Sequence, residues 1–272
     1  MNKITKHTSI LKRRLNQRSE LNKMKAIDNE LLQVITKSFD LTKSGDNQKE
    51  DLEAFQLCEA YREKLLADTT QITYEVFNMD HVDTVQNICR KAASPAKWCR
   101  FLYHMTRSLN QPRILEIGTN VGISGTYLLH SSKANNGRLT TMEGLPQLCN
   151  FSAEQFATIV PESNFAVIQG LYENTFPEVL KRDETYNLLF IDGNHKKEPT
   201  LEYFEALMDK IDQAAIFVFD DINWSQGMSE AWEQIKRNEH VNFSIDLYKL
   251  GIVIIDRNET RKNVEFGLHL EY

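Results

Sequence analysis

The sequence predicts an α/β fold built on a doubly wound parallel sheet, and three observations predict it. Between residues 113 and 238, short apolar runs alternate regularly with amphipathic helical runs, as strand–helix–strand units require. The runs Leu188-Leu189-Phe190-Ile191 and Ile216-Phe217-Val218-Phe219 are apolar without interruption, the mark of strands covered on both faces. The stretch Ile114-Leu115-Glu116-Ile117-Gly118-Thr119-Asn120-Val121-Gly122-Ile123-Ser124-Gly125 reads as a buried strand, a glycine-rich turn and the start of a helix. That last pattern belongs to nucleotide-cofactor sites.

Taken in order, the apolar residues from 9 to 37 recur at three- and four-residue steps and predict one long amphipathic helix. A polar break at 43–49 precedes a second helix over 50–66, so residues 1–70 read as a helical arm and cap ahead of a main domain at 71–272. The cap either packs plainly on the core or forms a lid over a substrate pocket. Residues 72–77 alternate like a strand, 82–93 return to helical spacing, and a further helix covers 96–108. Strands are then predicted at 113–117, 139–142, 165–169, 186–191 and 214–219, with helices at 125–130, 147–159, 175–181, 200–210 and 228–238 between and after them. Residues 243–249 and 251–256 are strands with almost no connecting loop, so they must be antiparallel neighbours, giving seven strands.

The 272 residues, 41% apolar and 26% charged, suffice for one sizeable α/β core plus an appendage. No apolar run approaches the ~20 residues of a membrane span and no secretory segment opens the chain, so a cytoplasmic protein is expected. Cys58, Cys89, Cys99 and Cys149 lack metal-finger spacing and read as free thiols. Residues 1–25 hold eight Lys and Arg against Glu20 alone, a charge of +7, which leaves −13 on the remainder of a chain whose net charge is −6. The basic arm is read as a solvated, partly helical terminus, and the acidic body argues against a nucleic-acid substrate.

The glycine spacing chooses the cofactor. It is G-x-x-x-G with an acid two residues upstream, Glu116-Ile117-Gly118, in place of the G-x-G-x-x-G that holds a dinucleotide pyrophosphate. A carboxylate there repels phosphates but accepts a hydrogen bond from a cationic amino-acid ligand. The segment resembles motif I of the class I S-adenosylmethionine-dependent methyltransferases, and five βα units closed by an antiparallel hairpin match the Rossmann-like layout of that family. The resemblance implies S-adenosylmethionine as cofactor, cradled by Gly118, Thr119, Asn120, Gly122 and Ser124, with Glu116 near its methionine amine. Glu143-Gly144, ending the second core strand, offers a carboxylate for the ribose hydroxyls, and Gly170-Leu171, ending the third, suits the edge of an adenine.

The fourth strand ends Asp192-Gly193-Asn194-His195 and the fifth ends Asp220-Asp221. This pairing resembles the small-molecule O-methyltransferases related to catechol and caffeoyl-CoA O-methyltransferases. The resemblance implies Asp192, which also borders the cofactor, Asp220 and Asp221 as oxygen ligands of a divalent cation such as Mg²⁺, with Asp221 standing where the family has Asn. The family's lysine base is replaced at its position by His195, which either takes the acceptor's proton or orients the loop. Trp98, Trp224, Met228 and Trp232 form either an aromatic wall for a planar acceptor or ordinary core. The reading is a methyltransferase acting on a hydroxyl of a small-molecule acceptor, with Asp192 and His195 at the chemistry. N-methylation of an amine or peptide without metal, and a non-catalytic cofactor-binding interaction protein, stay open, as does a homodimer.

Overall fold

The structure, a computed structural model, describes residues 3–271, with side chains from residue 7 onward. Lys3 and Lys6 of the basic arm therefore lie outside the described side chains. The chain opens with helices α1 (Lys3–Lys25), α2 (Glu30–Ser44) and α3 (Lys49–Leu66). A short hairpin, β1 (Gln71–Thr73) and β2 (Val82–Thr84), leads to α4 (Val85–Ala92) and α5 (Ala96–Arg107). Then follow β3 (Arg113–Ile117), α6 (Ile123–Ser132), β4 (Arg138–Glu143), α7 (Pro146–Ala157), β5 (Phe165–Gln169) and α8 (Tyr172–Lys181). The remainder is β6 (Tyr186–Ile191), α9 (Lys197–Leu207), β7 (Ile211–Phe219), α10 (Gln226–Lys236), β8 (Phe243–Asp246), β9 (Gly251–Asp256) and β10 (Val264–Gly267).

Contacts divide the chain into two compact units, residues 44–183 and residues 1–43 with 184–272. The helical segment ahead of residue 70 is thus shared, α3 going to the first unit and α1 with nearly all of α2 to the second. In the first unit β3, β4 and β5 run parallel in that order. Phe55, Cys58, Tyr61 and Leu65 of α3 are buried with Ile88 of α4, Tyr103 of α5 and Tyr127 of α6 in one apolar cluster. Polar ties reinforce it: the Tyr127 hydroxyl donates to Glu59 at 2.7 Å, and the Tyr103 hydroxyl donates at 3.0 Å to Asp51, which also pairs with Arg107 at 2.9 Å. All four cysteines are buried, and none forms a disulfide.

The second unit orders its strands β10-β8-β9-β7-β6. β6 and β7 are parallel, β9 is antiparallel to both β7 and β8, and β10, which the apolar pattern did not announce, adds to β8 in parallel. Phe204 of α9 packs edge-on against Phe217 and Phe219 of β7, and Trp232 of α10 lies against Phe219.

Four local expectations are corrected. The single helix over 9–37 is two, because Asn29 leaves the helix and its side-chain oxygen caps α2 by accepting from the Leu32 N–H at 3.0 Å, while its amide donates to Asp256 at 3.0 Å. The alternating run at 72–77 is a strand only to Thr73; residues 75–77 coil into a 3₁₀ turn ended by Asn78 in the left-handed region, and Val82–Thr84 pair back antiparallel. Helix α9 starts at Lys197 and takes Pro199 into its first turn, where no intrahelical N–H is needed. The basic arm is docked along part of its length: Ile10 and Met24 are buried, and Arg13 pairs with Asp246 at 2.7 Å. Its Leu11, Leu15, Lys12, Arg14 and Arg18 remain exposed.

Candidate active site

The turn between β3 and α6 is fixed by backbone geometry. Gly118 and Gly122 take φ of +112° and +76°, and Asn120 joins them at +49°, so the chain doubles back within five residues. A side chain at Gly122 would also sit 3.0–3.2 Å from Ser152 of α7, so that glycine serves the close approach of a helix as well as the turn. Gly118 and Thr119 both donate to the Met142 carbonyl, at 3.2 and 3.0 Å, and Tyr61 of α3 donates to the Val121 carbonyl at 2.8 Å.

Two carboxylates hold this turn. Register places Glu116 beside Thr141 on the neighbouring strand. One Glu116 oxygen accepts from Ser124 at 2.5 Å and the other from Thr141 at 2.6 Å, while Thr141 and Thr119 share a further hydroxyl contact at 2.6 Å. Glu116 has no exposed surface; burial pushes its carboxyl up to about 7, with nearby Glu143 adding and the two hydroxyls opposing. Both of its oxygens are thus taken by hydroxyls that brace the turn. Glu143, ending β4, accepts from the Asn120 N–H and the Leu145 N–H, both at 2.9 Å. Burial raises its carboxyl too, against the pull of those N–H groups.

Gly144 lies under the ring of Phe77, which a side chain there would meet at 2.8 Å. Gly170, at φ +142°, donates to the Glu143 carbonyl at 2.9 Å, and half-buried Leu171 caps α8. The structure thus gathers Gly118, Thr119, Asn120, Gly122, Ser124, Glu116, Glu143 and Gly170 around the carboxyl ends of β3, β4 and β5. Thr141 and Tyr61, missed in the sequence, complete the support.

In the second unit Asp192 follows β6, and His195 Nε2 stands 3.7 Å from its Oδ1. Asn194 and His195 have φ of +68° and +36°, consecutive left-handed residues that a loop holds at a cost of order 1–3 kcal/mol each. Asp220 and Asp221 follow β7, and the ion opposite them is a protein cation. Lys249 Nζ lies 2.9 Å from both Asp220 oxygens, with its hydrogen bond directed at Oδ2, and 2.9 Å from Asp221 Oδ1. Burial opposes the Lys249 charge, yet the two aspartates outweigh it and raise the ammonium above its ordinary range. Among the described residues no three His, Cys, Asp or Glu side chains are grouped to hold a metal ion. The divalent cation implied at Asp192, Asp220 and Asp221 therefore does not fit these residues as they stand. Of the expected aromatic wall, Trp98, Met228 and Trp232 are core, each 3% exposed, whereas Trp224 is 74% exposed. A cleft of about 360 Å³ lined by His240, Asp256 and Arg257 lies toward the other end of β7, since Asp256 pairs with Ala214 and Gly251 with Phe219.

Comparison with known proteins agrees with this geometry. Residues 115–222 match the family described as a methyltransferase domain. The O-methyltransferase ankF of Aspergillus thermomutatus is 28% identical over 128 residues, 46% of this chain and 51% of that protein. A protein of Mycobacterium sp. (strain JLS), designated an O-methyltransferase by inference, is 35% identical over 99 residues, 35% of this chain and 42% of its own length. The chain spans about half the length, or less, of these curated relatives. Among solved structures, the O-methyltransferase TomG of Streptomyces achromogenes, in complex with S-adenosylmethionine, superposes with a TM-score of 0.53 at 20% identity, covering 78% of this chain and 91% of that one. The O-methyltransferase of Bacillus cereus, in complex with S-adenosylhomocysteine, gives 0.53 at 18%, over 77% and 91%. These likenesses carry the Rossmann-like fold. No helix among the described residues is long and apolar enough to cross a membrane. Residues 115–222 thus match a methyltransferase domain, and over part of its length the chain is similar to O-methyltransferases.

Proposed function

We propose that the protein transfers the methyl group of S-adenosylmethionine to a hydroxyl of a small-molecule acceptor in the cytoplasm. The observation that carries the reading is the turn at Gly118–Gly122, whose Asn120 N–H is held by Glu143 at the end of the next strand. Glu143 takes the ribose hydroxyls through the lone pairs its backbone N–H bonds leave free. Glu116 positions Ser124 and the turn. Gly144, Gly170 and Leu171 border the adenine.

The sulfonium is already activated, so the protein aligns nucleophile, methyl and leaving sulfur and removes one proton. His195, 32% exposed at its side chain, takes that proton, and Asp192 steadies the imidazolium that forms. Exposed Trp224 offers an aromatic face to the acceptor. Calorimetry tests the cofactor: micromolar binding of S-adenosylmethionine and its demethylated product is expected, with little binding of NAD. A mass-shift screen of phenols, sugars and amines tests the acceptor. Methylation confined to amines would replace the hydroxyl reading.

A further inference from the structure

We propose that Lys249 is the resident cation of the Asp220–Asp221 pair, filling the place between the carboxylates that a divalent ion would take, so that this part of the site works without metal. What the site acts on rests on the methyl-transfer reading; the ion arrangement does not. The ammonium touches three carboxylate oxygens at 2.9 Å. Asp220 is 5% exposed, and Asp221 is held in the left-handed region at φ +51°, which aims both acids from one corner.

Lys249 is not a surface side chain that drifted in. It sits in the turn between β8 and β9, which the antiparallel register brings to the carboxyl end of β7, with Phe219 opposite Gly251. That turn is clamped to the acid loop by its own backbone: the Ile222 N–H donates to the Lys249 carbonyl at 3.1 Å, and the Asn223 amide donates to the Tyr248 carbonyl at 2.8 Å. Within the turn Tyr248 takes φ +71° and donates its N–H to Asp246 Oδ1 at 2.8 Å. Asp246 is itself gripped by Arg13 at 2.7 Å and by the Trp232 indole at 3.3 Å. A magnesium ion needs six oxygens in near-octahedral array and a Lys249 swung out of the way. The clamped turn fixes the Lys249 backbone facing the acids, and hydrogen bonds to both aspartates hold its ammonium there. An ammonium has three N–H donors and the aspartates take two, which leaves one for an acceptor oxygen.

The test is Mn²⁺ binding by electron paramagnetic resonance, together with thermal unfolding in EDTA or Mg²⁺, on the full chain. Wild type is expected to bind no stoichiometric Mn²⁺ and to unfold at the same temperature in either solution. Lys249→Met leaves two facing carboxylates, so its Tm falls by roughly 10 °C, it gains one Mn²⁺ ion, and Mg²⁺ restores much of the loss. If that variant does not fold, adding Asp220→Asn to it is expected to recover folding by removing the repulsion. Failure of the double variant as well would assign Lys249 to packing and overturn the proposal. Stoichiometric Mn²⁺ on wild type that Asp220→Asn abolishes would overturn it too. A wild-type protein that binds neither Mn²⁺ nor S-adenosylhomocysteine upholds Lys249 as the cation while ending the methyl-transfer reading.

Discussion

The two units bury acids at the ends of their strands in different ways. In residues 44–183 the carboxylates of Glu116 and Glu143 are met by neutral donors, two hydroxyls for one and two backbone N–H groups for the other. In the other unit Asp220 and Asp221 are met by a full charge, the Lys249 ammonium. Neutral donors leave an acid whose charge stays costly, and both glutamates have raised carboxyl groups. The ammonium offsets that cost, and removing either side leaves the other charge without its counterion. The first arrangement braces a tight turn through neutral donors; the second sets a fixed charge at a strand end.

The largest expected effect breaks the first unit outright. Deleting residues 1–66 removes Phe55, Cys58, Tyr61 and Leu65 from the cluster shared with α6, and with them the Tyr61 bond to the turn. Each such side chain contributes about 2–5 kcal/mol, so the sum of about 8–20 kcal/mol is as large as the ~5–15 kcal/mol stability of a domain, and no cooperative unfolding transition should remain by circular dichroism. Deleting residues 1–25 removes only α1, which touches the second unit through Ile10, Met24 and Arg13. Cofactor affinity measured by calorimetry should then be unchanged, and a tenfold loss would show that the arm reaches the turn.

Next in size, Asp220→Ala leaves Lys249 with one partner. Buried pairs broken from one side lose about 3–5 kcal/mol, and the partial exposure of Lys249 and Asp221 reduces this to about 2–3 kcal/mol in denaturant unfolding. Asp221→Asn keeps an oxygen toward the ammonium and should cost about 1 kcal/mol or less. Equal losses would mean that the two acids share the cation evenly. Glu143→Ala should weaken S-adenosylmethionine by about 1–3 kcal/mol, roughly 5- to 150-fold in Kd, through ribose contacts and a loosened Asn120 N–H. Unchanged affinity would remove Glu143 from the site.

The first unit's glycine turn was legible because its signals are local. Gly118, Gly122 and Glu116 lie within seven residues, and Glu143 stands at a strand end that the apolar pattern located. What escaped depended on register. Thr141 matters only because β3 and β4 align it with Glu116, and Lys249 only because a hairpin 28–29 residues downstream folds back on β7. The break at Asn29 escaped for another reason: apolar spacing continues through it, and the cap is a side-chain bond that periodicity does not record. Trp98, Met228 and Trp232 show the reverse case, where aromatic character suggested a pocket and burial made core.

The last effect is the most specific to the comparison, because it asks whether neutral donors leave Glu116 uncharged. Its carboxyl is pushed up to about 7, first by burial and then by Glu143, whereas an unfolded glutamate titrates near 4.3. Between those values the folded chain keeps a proton that the unfolded chain releases. The stabilisation is complete below about pH 4.3 and is lost as pH rises through about 7, a change of about 3 kcal/mol. Glu116→Gln cannot titrate, yet its amide oxygen still accepts a hydroxyl. The difference in unfolding free energy between wild type and this variant, followed from pH 4.5 to 8, should therefore fall as pH rises and level off above about 7. Parallel curves would mean that Ser124 and Thr141 hold an ionised carboxylate throughout, and that neutral donors at this turn can support a charge as Lys249 does in the other unit.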